Sequence, residues 1–147
     1  MSWLAVTEDD LLTVMNSPEL EAIRAAALAV GQDDPVAPTI AQAVDMVRGY
    51  VAGYRANILG AAGTIPQKLL PTTIDIVAYR LPSRVGLEPS ESRRSLYNDA
   101  LALLARVSVG TFAIEEPTTE DTETQAAPSP RMTGKTLTYT RDNQDGL

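Results

Sequence analysis

Gly134-Lys135-Thr136, inside the stretch RMTGKTLTYTRDNQDGL, forms the closing half of a phosphate-cradling loop. Such a loop needs Gly, four residues, then Gly-Lys-Ser/Thr. Ser129 occupies the place of the first glycine. The loop must also follow a buried strand and open a helix, whose N-terminus helps to hold the phosphate. Here a proline-broken segment precedes it and β-branched residues follow. The pattern is better explained as a strand-forming arm. Leu137 and Tyr139 share one face, and Thr136, Thr138 and Thr140 share the other. An isolated strand is unstable in water, so the arm is expected to add to a sheet edge or groove on another chain. Its candidate partner-binding residues are Arg131, Lys135, Leu137, Tyr139 and Arg141.

Other chemistry is sparse. Histidine and cysteine are both absent. That removes the commonest general base, thiolate chemistry and any disulfide, and it excludes the usual zinc sites. The paired acids Asp9-Asp10 and Asp33-Asp34 have the chemistry to hold a hard cation, but neither pair sits in a calcium-loop pattern. Helix-start charge and solvated loop charge explain them more simply. Asp75 lies one turn before Tyr79 and is expected to ion-pair with Arg48 or Arg80. Tyr50 and Tyr54, at i and i+4, suit packing at the edge of a core. Trp3 is either a staple for the N-terminus or an exposed contact. No catalytic residue, cofactor site or metal ligand is assigned, and the chain is not expected to be an enzyme.

The charge balance narrows the partners. Acids outnumber bases by 19 to 12, for a net charge of −7. Free nucleic-acid binders usually carry a basic stripe, and Arg93-Arg94 is the nearest approach to one. The start MSWLAVTEDD has neither a basic region nor a long apolar run, so no signal peptide is expected. The longest apolar run, residues 25–30, is far too short to span a bilayer.

The spacing of the apolar residues around these groups predicts an all-α fold. It comprises four main helices and a short N-terminal one, with a long extended C-terminal arm. The chain is 44% hydrophobic but only 5% aromatic, a composition that favours close helix packing over a sandwich. Thr7 should cap a helix over Glu8–Met15, with its acids in the first turn. Ser17 should cap the next, with Pro18 at its first position, and Gly31 should stop it. The GQDDPVAP loop should be extended, and Thr39 to Gln42 forms a capping box. Behind that box, Ile40, Val44, Val47, Val51, Tyr54 and Ile58 recur at helical spacing. Gly49 and Gly53 inside this helix suggest close approach by another backbone. A third helix is expected over Ile65–Leu81, with a kink or fresh start at Pro71 and an end at Pro82. A fourth should begin near Ser90-Glu91 and run to about Val109, burying Leu96, Ala100, Leu103, Leu104 and Val107, with Gly110 closing it. Thr111 to Ile114 is a candidate short strand. Residues 1–115 thus form the helical domain, 116–130 an acidic Pro/Thr-rich linker with too little apolar surface to order itself, and 131–147 the arm.

Three stretches together resemble a known family. VRGYVAGY, from Val47 to Tyr54, is similar to the I-D-G-Y-L-A-G-R-Y helix of a Mu-like bacteriophage head–tail adaptor family. Ile65-Pro66, Leu69-Leu70 and DIVAYRL from Asp75 to Leu81 resemble its next helix. LYNDALALL, from Leu96 to Leu104, resembles the R-Y-x-D-A-L-x-L-L helix that follows. The resemblance covers roughly residues 5–115. Arg48 departs from it, standing where the family often has an acid, and the tail after Glu116 has no matching counterpart. The resemblance implies a structural virion protein: a connector, or head-completion, protein in the neck between head and tail. Its partners would be a portal protein, neighbouring copies in a ring of twelve, and a tail-side neck or terminator protein. DNA would pass through without specific binding, and no membrane is implied. An alternative is a small non-ring binding module, a regulator or inhibitor. A third choice is a carboxylate-dependent metal hydrolase.

Overall fold

A computed structural model describes residues 3–118. In order, β1 (Leu4–Ala5) leads to α1 (Glu8–Leu11), α2 (Ser17–Ala29) and α3 (Val36–Gly53). Next come β2 (Thr64–Ile65), a 3₁₀ turn (Gln67–Leu69), α4 (Leu70–Arg84) and α5 (Glu91–Ser108). The described part is thus a helical bundle with four main helices and a short first one, as the spacing predicts. The linker beyond residue 118 and the arm lie outside the described residues.

The core is the meeting of α3, α4 and α5, which pack pairwise on one another, with α1 against α4. Val47 and Val51 of α3, Ile76 and Leu81 of α4, and Leu104 and Val107 of α5 are all fully buried. Fully burying a side chain of this size is worth about 1.5–3 kcal/mol, which offsets the chain entropy lost on ordering. Tyr79 and Tyr97 stack across the α4–α5 seam with centroids 4.3 Å apart. Thr39 and Thr73 are also buried, but each hydroxyl donates to the carbonyl four residues back, at 2.6 and 2.8 Å.

Three helices stop in the same way. Gly31, Gly86 and Gly110 all have φ near +80°. In each case the next residue's N–H reaches back to a carbonyl of the last turn: Gln32 to Ala27, Leu87 to Pro82, Thr111 to Arg106. This paired closure satisfies helix-end carbonyls and uses a left-handed residue that glycine adopts without strain.

Several boundaries differ from the sequence expectation. α1 stops at Leu11 rather than Met15, because the chain must extend at Asn16. Asn16, not Ser17, caps α2, accepting from the Glu19 N–H at 2.8 Å. α3 begins at Val36, so Thr39 is an interior residue and not a cap. Pro38 falls in the first turn, where its missing N–H is not needed, and Asp34 accepts from the Val36 N–H instead. At the other end α3 stops at Gly53, leaving Tyr54 and Ile58 39% and 47% exposed rather than buried. Residues 65–81 are not one helix. Ile65 is in a strand, and Pro71 sits at the second position of a fresh helix, so the predicted restart is present. Pro82 does not end α4; it lies buried in the last turn, and Gly86 closes the helix. Leu96 is 45% exposed, not part of the buried stripe. Residues 111–114 form no strand.

The sheet lies elsewhere, with Leu4 opposite Ile65 and Ala5 opposite Thr64 in antiparallel register.

Candidate interaction surfaces

Ion pairs of Arg24 and Arg93 and the contacts of Arg48 with Trp3 tie the helices and loops together. Arg24 on α2 reaches Glu8 of α1 at 2.7 Å, Glu21 at 3.1 Å and Asp34 of the α2–α3 loop at 3.2 Å. The hydrogen bond from Arg24 to Glu8 is the largest cause holding the guanidinium above its usual pKa. This hub ties α1 and the loop onto α2. Arg93, in the first turn of α5, grips Glu19 of α2 with two parallel hydrogen bonds, one of them 2.8 Å. That fork is a strong geometry for an ion pair. It holds the Glu19 carboxyl below its ordinary pKa, the Arg93 hydrogen bond being the main cause.

Arg48 and Trp3 fix the sheet. The Arg48 guanidinium donates to the carbonyls of Ala61 and Thr64 at 2.8 and 2.7 Å, and to Gly60 at 3.2 Å. It also lies 5.8 Å from the Trp3 ring centroid. Arg48 is therefore the clamp that holds the loop before β2. Trp3 is a staple and not an exposed contact: it is 5% exposed, and its indole N–H donates to the Glu115 carbonyl at 3.0 Å. Glu115 in turn accepts from the Lys68 N–H at 3.3 Å. The segment after α5 is thereby pinned beside β1.

Among the described residues, two of the open clefts on this frame combine apolar and acidic lining. The first, of about 400 Å³, runs between the end of β1 and the first half of α3. Its floor is apolar: Val6, Val36, Ile40, Ala41 and Val44. Its rim carries Glu8, Asp34 and Asp45. The second, of about 370 Å³, lies where α4 and α5 face the α1–α2 turn. Val14 and Leu96 border it, each 45% exposed, around Asp75, Glu19 and Arg93. Burial alone pushes the Asp75 carboxyl above its ordinary pKa.

The predicted ion pair of Asp75 does not form. Arg48 is turned to the backbone carbonyls, and Arg80 donates to the Met46 sulfur at 3.0 Å. The reason is geometric: Asp75 faces the α1–α2 turn, whereas Arg80 faces α3. The paired acids behave as helix-start and loop charge. Asp10 closes a reciprocal cap with Thr7, at 2.8 Å from the Thr7 N–H, and Asp34 serves α3 and Arg24. Among the described residues, no group of three or more carboxylates is placed to share one cation. No described helix is long and apolar enough to cross a membrane. Of the two glycines of α3, Gly53 has the predicted close neighbour, since an added Cβ would sit 3.3 Å from Ser108 Cβ of α5. Gly49 faces open space.

Arg131, Lys135, Leu137, Tyr139 and Arg141, and the Gly134-Lys135-Thr136 stretch with them, lie outside the described residues. Sequence reasoning missed both clefts and the sheet. The signal for the sheet is two residues long on each side, too short for any period to show.

The family described as Bacteriophage Mu, Gp36 matches the chain over residues 6–132. That span includes the linker, so it extends beyond the part in which sequence resemblance was visible. No curated protein and no solved structure matches.

Proposed function

The chain belongs to the bacteriophage Mu Gp36 family, and from that membership we propose that it is a structural virion protein, a head–tail adaptor. In this reading copies form a ring, twelve in number, beneath the portal. The ring joins the DNA-filled head to the tail-side neck or terminator protein, and DNA passes through it. The protein is assembled in the bacterial host and resides in the neck of the virion. Its role is to connect, not to catalyse.

The family match carries the reading. Physical features support it. A basic lining would hold DNA by releasing counterions from its phosphates, whereas a subunit of net charge −7 repels the backbone and leaves passage unhindered. Leu12, Val14, Leu28, Val30 and Leu96 remain exposed on a small bundle, giving apolar surface for neighbouring subunits to cover. Residues 131–141 supply a basic, alternating segment suited to adding to a sheet edge or groove.

The test is assembly in the absence of this protein. Infected cells lacking it should accumulate DNA-filled or DNA-leaking heads and free tails, and restoring it should join them. Tailed particles at normal yield without it would refute the adaptor reading. Mass measurement of the protein mixed with its portal would separate a ring from a small monomeric or dimeric regulator.

A further inference from the structure

The cleft between β1 and α3 and the two-stranded sheet beside it share a missing piece. Each strand has only two residues, and in a sheet of two strands both are edges. So small a sheet gains stability from a third strand. The neighbouring cleft has an apolar floor of Val6, Val36, Ile40, Ala41 and Val44, and an acidic rim of Glu8, Asp34 and Asp45. Arg24 neutralises part of that rim through Glu8 and Asp34, while no described residue pairs with Asp45. An occupant should therefore be extended, apolar on one face, and cationic.

We propose that this occupant is the chain's own segment 131–141, added to the β1–β2 sheet with Leu137 and Tyr139 seated in the cleft. The segment alternates in the required way and carries Arg131, Lys135 and Arg141 with no acid. The linker before it carries Glu116, Glu120, Asp121 and Glu123, so the acidic rim repels the linker and selects the arm.

Tether geometry favours the same chain over a neighbour. The Trp3–Glu115 hydrogen bond holds the end of the described chain beside the start of β1. Val6, at the cleft, is three residues from Trp3, or about 10 Å of extended chain. Residues 119–130 number twelve, a length of chain that can reach at most about 40 Å. Such a tether gives an effective concentration in the millimolar range, far above that of a second copy in dilute solution. The inference does not depend on the adaptor role.

The chain has no cysteine, so a crosslinking test has no background. The full-length double variant Ala41→Cys with Leu137→Cys places one thiol on the cleft and one on the arm. The control pairs Leu137→Cys with Val109→Cys, which is 64% exposed. Val109 is close to the tether along the chain, but it follows Ser108, which abuts Gly53, about 18 Å along α3 from Ala41. Under mild oxidation, the cleft pair should form its disulfide on the order of ten-fold faster than the control. The product should have monomer mass, at a rate independent of protein concentration. Adding Asp45→Lys should slow it. Equal rates for the two pairs would overturn the inference, as would a product mainly of dimer mass, which would assign the cleft to a neighbour's arm.

Discussion

Removing the Trp3 side chain should cost the bundle several kcal/mol although the residue belongs to none of its helices. The ring is 5% exposed and makes three distinct contacts. It lies against Gly60, it faces the Arg48 guanidinium, and its N–H holds the Glu115 carbonyl. An indole buries roughly 150–250 Å². At about 25 cal/mol per Å² that is roughly 4–6 kcal/mol, an upper figure because the unfolded chain already shields part of the ring. Truncation of a buried aromatic typically costs about 3–5 kcal/mol, so Trp3→Ala should fall in that range. Trp3→Phe, which keeps a ring but loses the N–H donor, should cost about 1–2 kcal/mol. With a urea slope of about 2 kcal/mol per M, the alanine variant's midpoint should drop by about 2 M. Far-UV circular dichroism is the assay, since Trp3 is the only tryptophan and its fluorescence goes with it. Gly60→Ala supplies the second leg. An added Cβ would meet the Trp3 ring at 2.8 Å, so this change should destabilise the wild type and be nearly neutral beside Trp3→Ala. Such non-additivity is the signature of direct contact. A loss below about 1 kcal/mol for Trp3→Ala, or additive effects of the two changes, would refute the stapling argument.

Other outcomes follow from the same geometry. Gly49→Ala should stabilise the protein by up to about 1 kcal/mol, because the site is open helix surface; Gly53→Ala should gain less, since its Cβ would crowd Ser108, and thermal melts of the two compare them directly. Asp75 has its pKa raised by burial, so the folded state binds its proton more tightly. Its contribution is favourable below the unfolded aspartate value of about 3.9 and is lost as pH rises through the folded value. Asp75→Asn should therefore raise stability at pH 7 relative to wild type, and the gain should vanish at about pH 3. Glu19 behaves oppositely. Its pKa is lowered by Arg93, so its contribution is present above about 4.3 and lost as pH falls through the folded value. Glu19→Gln should cost about 1 kcal/mol at pH 7, less in high salt, and little below the folded pKa, as read from urea midpoints across pH.

The amino-acid pattern alone was enough for much of the scaffold. The cap at Thr7, the restart at Pro71 and the stops at Gly31 and Gly110 depend on a few adjacent residues. Their physics is local, so it is written in local sequence. The buried Val44, Val47 and Val51 of α3 and Ala100, Leu104 and Val107 of α5 follow from period alone. Some local boundaries shifted by a few residues, as at Asn16, Val36 and Pro82, and the larger failures depended on a partner far along the chain. Leu96 has the right spacing to be buried, yet α4 and the α1–α2 turn leave it at the rim of a cleft. Thr39 looks like a cap but is enclosed by α4 through Arg84, which donates to its hydroxyl at 3.3 Å. Asp75 was expected to pair with Arg48 or Arg80, but Arg48 is claimed by the carbonyls of Gly60, Ala61 and Thr64, which periodicity cannot place, and Arg80 by the Met46 sulfur. Leu4–Ala5 and Thr64–Ile65 become strands only because Trp3, Gly60 and Arg48 bring segments sixty residues apart into register. Helix content is set by near neighbours along the chain, whereas clefts and pairings are set by which surfaces the packed rods leave uncovered, and only the tertiary structure decides that.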